Sequence, residues 1–240
     1  MNKIELCDRI RRSAEQMGIA LPEQAPEQFY LYHQMIDEAN SRMNLTRVLE
    51  PEEAVDRHFM DSLAPLSLGW TSSARSLCDV GTGAGFPGIP LAIACPELRV
   101  VLLDSLNKRV EFLRQVIAEL GLNAQAIHGR AEELARKPEL RDAFDLSTAR
   151  AVAALPTLLE LTLPFVRPGG AMICYKGPGL DEEMAGAQNA LNRLCARVDE
   201  VQKVSIPGRD WDHRLVKIKK LAETPRAYPR KPGDPNRKPL

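Results

Sequence analysis

The sequence predicts an α/β fold in which a mostly parallel sheet is wound on both faces by helices and preceded by a helical extension. Two observations carry the prediction. Short apolar runs at 77–80, 100–103, 124–127, 144–148 and 171–175 alternate with segments of helical period at 87–94, 108–120 and 154–165, and strand, helix, strand repeated this often builds a parallel sheet. Residues 3 to about 68, by contrast, carry helical period alone. The chain divides accordingly into an N-terminal helical extension over 1–70 packed on the core, a core over 71–223 and a C-terminal arm over 224–240.

Each element has a local reason. Ile4, Cys7, Ile10 and Ala14 share one face of a first helix, opposite Glu5, Asp8, Arg9, Arg12 and Glu15. Pro22 and Pro26 mark the way into a second, where Phe29, Leu31, Tyr32, Met35, Ile36 and Ala39 recur at near-helical intervals over 27–42. Pro51 with Glu52 and Glu53 starts a third, the acids lying at the positive end of the helix dipole, and Val55, Phe59 and Leu63 repeat every fourth residue. The polar break 71–75 ends the extension, and further strands are expected near 200–206 and 214–218. Five prolines in 224–240 are too many for regular structure, so an extended arm is expected there.

Composition sets bounds. Apolar residues make up 44% and charged residues 27% of 240, with 32 cations against 32 acids, which fits a globular chain and excludes a protein that coats a polyanion with its whole surface. No run approaches about 20 uninterrupted apolar residues. Residues 1–10 hold Lys3, Glu5, Asp8 and Arg9 and lack an apolar signal region, so a cytoplasmic location is expected. Cys7, Cys78, Cys95, Cys174 and Cys195 are odd in number and never spaced C-x-x-C, which suits neither a disulfide framework nor a zinc site. They are expected to be reduced and mostly buried, and no metal site is expected.

The segment Asp79-Val80-Gly81-Thr82-Gly83-Ala84-Gly85-Phe86-Pro87-Gly88 reads as a strand end, a glycine turn and a helix start. Glycines admit positive φ and the close approach of a ligand, and the helix start offers free N–H donors. Two cofactor classes use such a turn. Gly83-x-Gly85-x-x-Gly88 with Asp104 21 residues past Gly83 fits a dinucleotide fingerprint. Asp79-x-Gly81-x-Gly83-x-Gly85 instead resembles the first motif of class I S-adenosylmethionine-dependent methyltransferases, and here Gly81 follows the strand directly.

Other candidates close neighbouring strands. Asp104 ends the second run, where its carboxylate can accept both ribose hydroxyls or merely cap the helix that follows. Ala131 N–H and Glu132, after the third run, suit an adenine edge, or are simply first-turn residues. His128 has no companion at metal or triad spacing and reads as structural. Arg150 ends the fourth run and Lys176 the fifth, two cations at the edge where an acceptor substrate would sit.

Joined, these segments resemble one family, the bacterial 16S ribosomal RNA guanine-N7 methyltransferases, also known as glucose-inhibited division protein B. The resemblance rests on Asn44-Leu45-Thr46, the run from Arg57 through His58 and Asp61 to Leu63, and the run from Asp79 through Phe86 to Pro90. It extends through Leu102-Leu103-Asp104-Ser105, Lys108 to Leu113, Arg150-Ala151-Val152-Ala153, Lys176-Gly177 and the tail around Tyr228 to Gly233. It implies a Rossmann-like class I methyltransferase sheet, S-adenosylmethionine as donor with S-adenosylhomocysteine as product, and 16S ribosomal RNA or the small ribosomal subunit as partner. Cofactor contacts are implied at Gly81, Gly83, Phe86, Asp104, Ala131, Glu132 and Arg150, with Asn44 and His58 covering the substrate entrance. A monomer is expected. Ala149 stands where the family usually has serine. No catalytic base is expected, because guanine N7 carries a lone pair and no proton; Arg150 and Lys176 position the substrate. A small-molecule methyltransferase, a nicotinamide-dependent dehydrogenase and a non-enzymatic RNA-binding protein are the rival readings. The arm 224–240, with Arg226, Arg230, Lys231, Arg237 and Lys238 against Asp234, is expected either to contact RNA phosphates or to lie along its own domain. In the first case its deletion would weaken RNA binding and leave cofactor affinity nearly unchanged.

Overall fold

In the computed structural model, which describes residues 1–150 and 152–240, the strands are β1 (Ser76–Val80), β2 (Arg99–Asp104), β3 (Ala124–His128), β4 (Phe144–Arg150), β5 (Val166–Lys176), β6 (Ala196–Lys203) and β7 (Arg214–Lys220). They form one sheet in the order β3-β2-β1-β4-β5-β7-β6, with only the pairs made by β7 antiparallel. Strand order therefore reverses between β1 and β4, the place where open α/β sheets leave a crevice at their carboxyl edge. Ala151 lies outside the described residues.

Period-two alternation sends neighbouring side chains to opposite faces. Leu77, Val100, Leu102 and Ile173 pack under α5 (Gly88–Ala94) and α6 (Asn107–Leu120), while Cys78, Val101, Met172 and Cys174 face α7 (Ala131–Leu134), α8 (Leu155–Thr162) and α10 (Gln188–Arg193). A ninth helix, α9 (Leu180–Gly186), follows β5.

The extension holds α1 (Lys3–Gln16), α2 (Ala25–Met43), α3 (Pro51–Ala54) and α4 (Asp61–Ser67), the last two joined by a π-helical turn at Val55–Met60. It shares one apolar cluster with α5, α6 and the sheet. The rings of Phe29 and Phe59 pack in a tilted pair with centroids 4.8 Å apart, and the fully buried Tyr32 donates its hydroxyl to the Ala84 carbonyl in the glycine turn at 2.7 Å. The apolar face of α1 differs from the expected one: Ile4 is 73% exposed and Leu6 takes its place beside Cys7, Ile10 and Ala14. Asn2 caps this helix in a capping box with Glu5, and the buried stripe Leu6, Cys7, Ile10 and Ala14 leaves Ile4 on the solvent side. All five cysteines are free thiols, three of them buried.

The C-terminal segment is not the extended arm expected from its prolines. It includes a helical turn, α11 (Asp234–Arg237), with Pro235 where a first-turn proline needs no N–H partner. The segment is bound to the domain along its length. The Arg141 guanidinium donates to the carbonyls of Thr224 and Tyr228, and Arg136 to that of Pro229. Arg230 forms a forked pair with Glu160 at 2.6 to 3.1 Å and adds its own backbone N–H at 2.7 Å. Glu160 is fully buried in α8. Arg230→Ala leaves that carboxylate with one backbone donor, so unfolding stability is expected to fall by about 2 kcal/mol, read as a lower denaturant midpoint at unchanged slope.

Candidate active site

The carboxyl ends of β1, β2 and β3 are tied together by backbone hydrogen bonds. Gly81 and Thr82 donate to the Leu103 carbonyl at 2.9 and 3.1 Å, and Gly129 donates to that of Asp104 at 3.1 Å. Asp79, fully buried, accepts from the Thr82 hydroxyl at 2.6 Å, the Gly88 N–H at 2.9 Å and the Thr148 hydroxyl at 3.0 Å. Burial pushes its carboxyl up to about 6, against the pull of those hydrogen bonds. The acid that precedes the glycines thus shapes the turn from inside. Thr82 and Thr148 were not singled out in the sequence, since threonine within a turn or an apolar run carries little signal.

The glycines serve two purposes. Gly81, Gly83 and Gly85 have φ of +70°, +63° and +112°, whereas Gly88 has ordinary φ and is needed for packing. A Cβ on Gly88 would stand 2.2 Å from Leu102 Cδ2 and 2.9 Å from Asp79 Oδ2, while one on Gly83 would meet nothing within 4 Å. Gly88→Ala is expected to cost about 2 kcal/mol of stability and Gly83→Ala about 1 kcal/mol, from the left-handed backbone alone. Thermal melts of the two variants check this ranking.

Asp104, 4% exposed, accepts the Gly83 N–H at 3.0 Å on one oxygen and the Leu106 N–H at 2.9 Å on the other. A local turn contact thus coexists with the cavity-facing place, and it is not a helix cap, since α6 takes no side-chain cap. Ordinary backbone donors leave each carboxylate oxygen with acceptor capacity for a further hydroxyl. Asp104, Gly81, Ala131 and Glu132 line one cavity of about 140 Å³. Glu132 is 3% exposed, not a solvated first-turn acid, and accepts from Gly233 N–H at 3.0 Å and Arg130 at 3.2 Å. Burial alone would raise its carboxyl, but these hydrogen bonds and its own N–H outweigh burial and hold it below the usual range. His128 bonds the Ser105 carbonyl at 3.1 Å, as a structural histidine does.

A second cavity of about 690 Å³ lies beside the first, and Val152 lines both. Its walls include Arg57, His58, Asp61, Arg150, Tyr175, Lys176 and His213. Arg150 donates to the Arg57 carbonyl at 3.0 Å and Asp61 at 2.9 Å, and its guanidinium lies 5.0 Å over the Phe86 ring. His58 stacks on the same ring at 4.4 Å and bonds the Thr46 hydroxyl at 2.8 Å. Phe86 is thus flanked by His58 and Arg150. Asn44, at φ +48°, ends α2 in the left-handed conformation and delivers Thr46 to His58. Burial, with the Arg150 charge, lowers His58 to about 4. Lys176 is only 8% exposed and paired with Glu183 at 2.7 Å and the Ala153 carbonyl at 3.0 Å, so it is not a solvated lysine. Ala149 is buried in the core cluster under α8. Asp61 and His213, paired at 3.2 Å, reach this cavity from opposite ends of the chain. Asp61 lies within the Arg57 to Leu63 motif, and His213 carries no local signal in the sequence.

The strand order, the antiparallel last strand and the acid–glycine turn define a class I S-adenosylmethionine-dependent methyltransferase fold. The fold is shared by the O-methyltransferase TomG of Streptomyces achromogenes, solved in complex with S-adenosylmethionine, at a TM-score of 0.56 and 18% identity over 88% of this chain and 96% of that one. Sequence similarity is far closer to ribosomal RNA small subunit methyltransferase G of Alkaliphilus metalliredigens, 44% identical over 96% of this chain and 97% of that protein. Its counterpart in Lachnoclostridium phytofermentans is 47% identical over 93% of both. The profile described as rRNA small subunit methyltransferase G matches residues 25–211, and the chain belongs to that family.

Proposed function

We propose that the protein transfers a methyl group from S-adenosylmethionine to N7 of a guanine in 16S ribosomal RNA, acting as a cytoplasmic monomer on the RNA or the small subunit. The adjacency of the two cavities at Val152 carries this reading, because in-line methyl transfer requires donor and acceptor side by side. Family membership supports the RNA substrate.

The residues present fit the cofactor. A Cβ on Gly81 would stand 2.9 Å from Cγ2 of the exposed Val152, so the glycine keeps the wall shared with Val152 open without moving that side chain. Asp104 has acceptor capacity for ribose hydroxyls, and Ala131 with Glu132 forms the end suited to adenine. Bound there, S-adenosylmethionine supplies an electrophilic methyl on a positively charged sulfur. Arg150, fixed by Asp61 and the Arg57 carbonyl, presents a cation and donors to the acceptor cavity. Lys176 adds a second cation held by Glu183. Both suit the phosphates or the O6 edge of a guanine opened from its helix.

No proton has to leave N7, so the chain needs no base. His58 suits that chemistry: it is neutral at pH 7 and takes up a proton only near pH 4. Its folded-state value lies below the ordinary 6.5, so its contribution to stability is complete above pH 6.5 and is lost as pH falls toward 4. Methyl transfer is therefore expected to vary by about twofold at most between pH 6.5 and 8, where a histidine base of ordinary pKa would give a titration limb. The direct test of the function is transfer of tritium from methyl-labelled S-adenosylmethionine to 16S RNA from cells that lack the protein. Binding of the cofactor without transfer to that RNA, free or in the subunit, would remove the RNA reading.

A further inference from the structure

Methyl transfer as described makes no use of the C-terminal turn, yet that turn reaches the cofactor cavity. Asn236, in α11, lines the cavity of about 140 Å³ together with Asp104, Ala131, Glu132 and Leu161. Asp104 marks the ribose end of that cavity, so Asn236 shares its walls with the residues suited to the purine. The backbone N–H of Gly233 holds Oε1 of the buried Glu132 at 3.0 Å, which fixes the carboxylate at that end. Thr157, itself buried, donates its hydroxyl to the Pro235 carbonyl at 3.0 Å, and the Arg230–Glu160 fork anchors the chain just before the turn. The turn is held at three points by the protein itself.

We propose that the C-terminal turn is a fixed wall of the cofactor cavity at its adenine end, with Gly233 setting the Glu132 carboxylate and Asn236 contacting the purine. The proposal rests on the cofactor reading given above. A carboxamide carries both donors and an acceptor, as does the adenine edge formed by the exocyclic amine and a neighbouring ring nitrogen. At the edge formed by the exocyclic group and N7, hypoxanthine offers two acceptors, O6 and N7, so a carboxamide that pairs with both the adenine amine and N7 can satisfy only one of them. Because the wall is in place before binding, little ordering of the chain is required. On this proposal, removal of the tail costs cofactor affinity, whereas a tail that only contacts RNA would leave that affinity nearly unchanged.

Calorimetry on the full-length protein with S-adenosylhomocysteine and with S-inosylhomocysteine tests this, using wild type, Asn236→Ala and Lys238→Ala. Lys238 is an exposed tail cation that does not line the cavity. Asn236→Ala is expected to bind S-adenosylhomocysteine about five- to tenfold more weakly and to lose much of the wild-type preference for adenine over hypoxanthine. Lys238→Ala is expected to match wild type, and the unliganded melting temperatures of all three to agree. Unchanged affinity and preference in Asn236→Ala overturn the proposal. So does an equal loss in Lys238→Ala, or a loss of affinity with the base preference intact, since either makes the turn a general support. Wild-type protein that binds neither ligand removes the cofactor reading itself, a result distinct from the others.

Discussion

Asp104→Ala is expected to weaken S-adenosylmethionine binding by about 1 to 3 kcal/mol, roughly five- to 150-fold, the usual worth of hydrogen bonds to a charged acceptor. The same change removes the acceptor for Gly83 and Leu106 N–H, so some loosening of the turn is included in that figure. Asp104→Asn separates the two effects. An amide keeps one oxygen for a backbone donor but carries no charge, so it is expected to retain most of the melting temperature and less of the affinity. Calorimetry beside a thermal melt reads both quantities. Wild-type affinity in either variant would detach Asp104 from the ribose and leave it as a tie between the glycine turn and the chain entering α6.

Arg150→Lys is expected to lower methyl transfer by about 100-fold although the charge is kept. The guanidinium holds the Arg57 carbonyl and Asp61 at once while lying over Phe86. An ammonium on a flexible stem cannot keep all three relations, so the acceptor cavity loses its fixed cation. Asp61 keeps His213 as a partner, and the expected stability loss is smaller, about 1 kcal/mol. Single-turnover rates at saturating cofactor isolate the positioning effect. Wild-type rates in Arg150→Lys would make the arginine a structural tie between the extension and the sheet.

The parts of this protein that sequence alone reveals are those whose causes are local. An apolar run of four or five residues followed by glycine and a helical period states its structure within a dozen positions, so β1 to β5 and the turn between Asp79 and Gly88 follow from the pattern. Strand ends also place Asp104, Arg150 and Lys176 on one edge without knowledge of their partners. What the pattern does not carry is pairing across the chain. Glu160 and Arg230 are 70 positions apart, and nothing near either indicates that one is fully buried and needs the other. The prolines of the tail therefore suggest an extended arm, with RNA contact and packing along its own domain both open; Arg230 is committed to Glu160, and Arg237 pairs with Asp234. Asn236 was passed over for the same reason, since its place in the cavity depends on Glu132 and Thr157. On α1, Leu6, Ile10 and Ala14 pack into the shared apolar cluster while Ile4 stays in solvent, a choice of face that depends on what the helix packs against.

The chemistry assigned to the paired cavities is settled by identifying the methylated nucleoside. Small subunits and free 16S RNA from cells without the protein, incubated with purified protein and S-adenosylmethionine carrying a deuterated methyl, are digested to nucleosides and analysed by mass spectrometry. The account predicts that the heavy methyl appears in 7-methylguanosine and is absent when the Arg150→Lys protein is used at the same short time. Label in another methylated nucleoside, or in none, would contradict it.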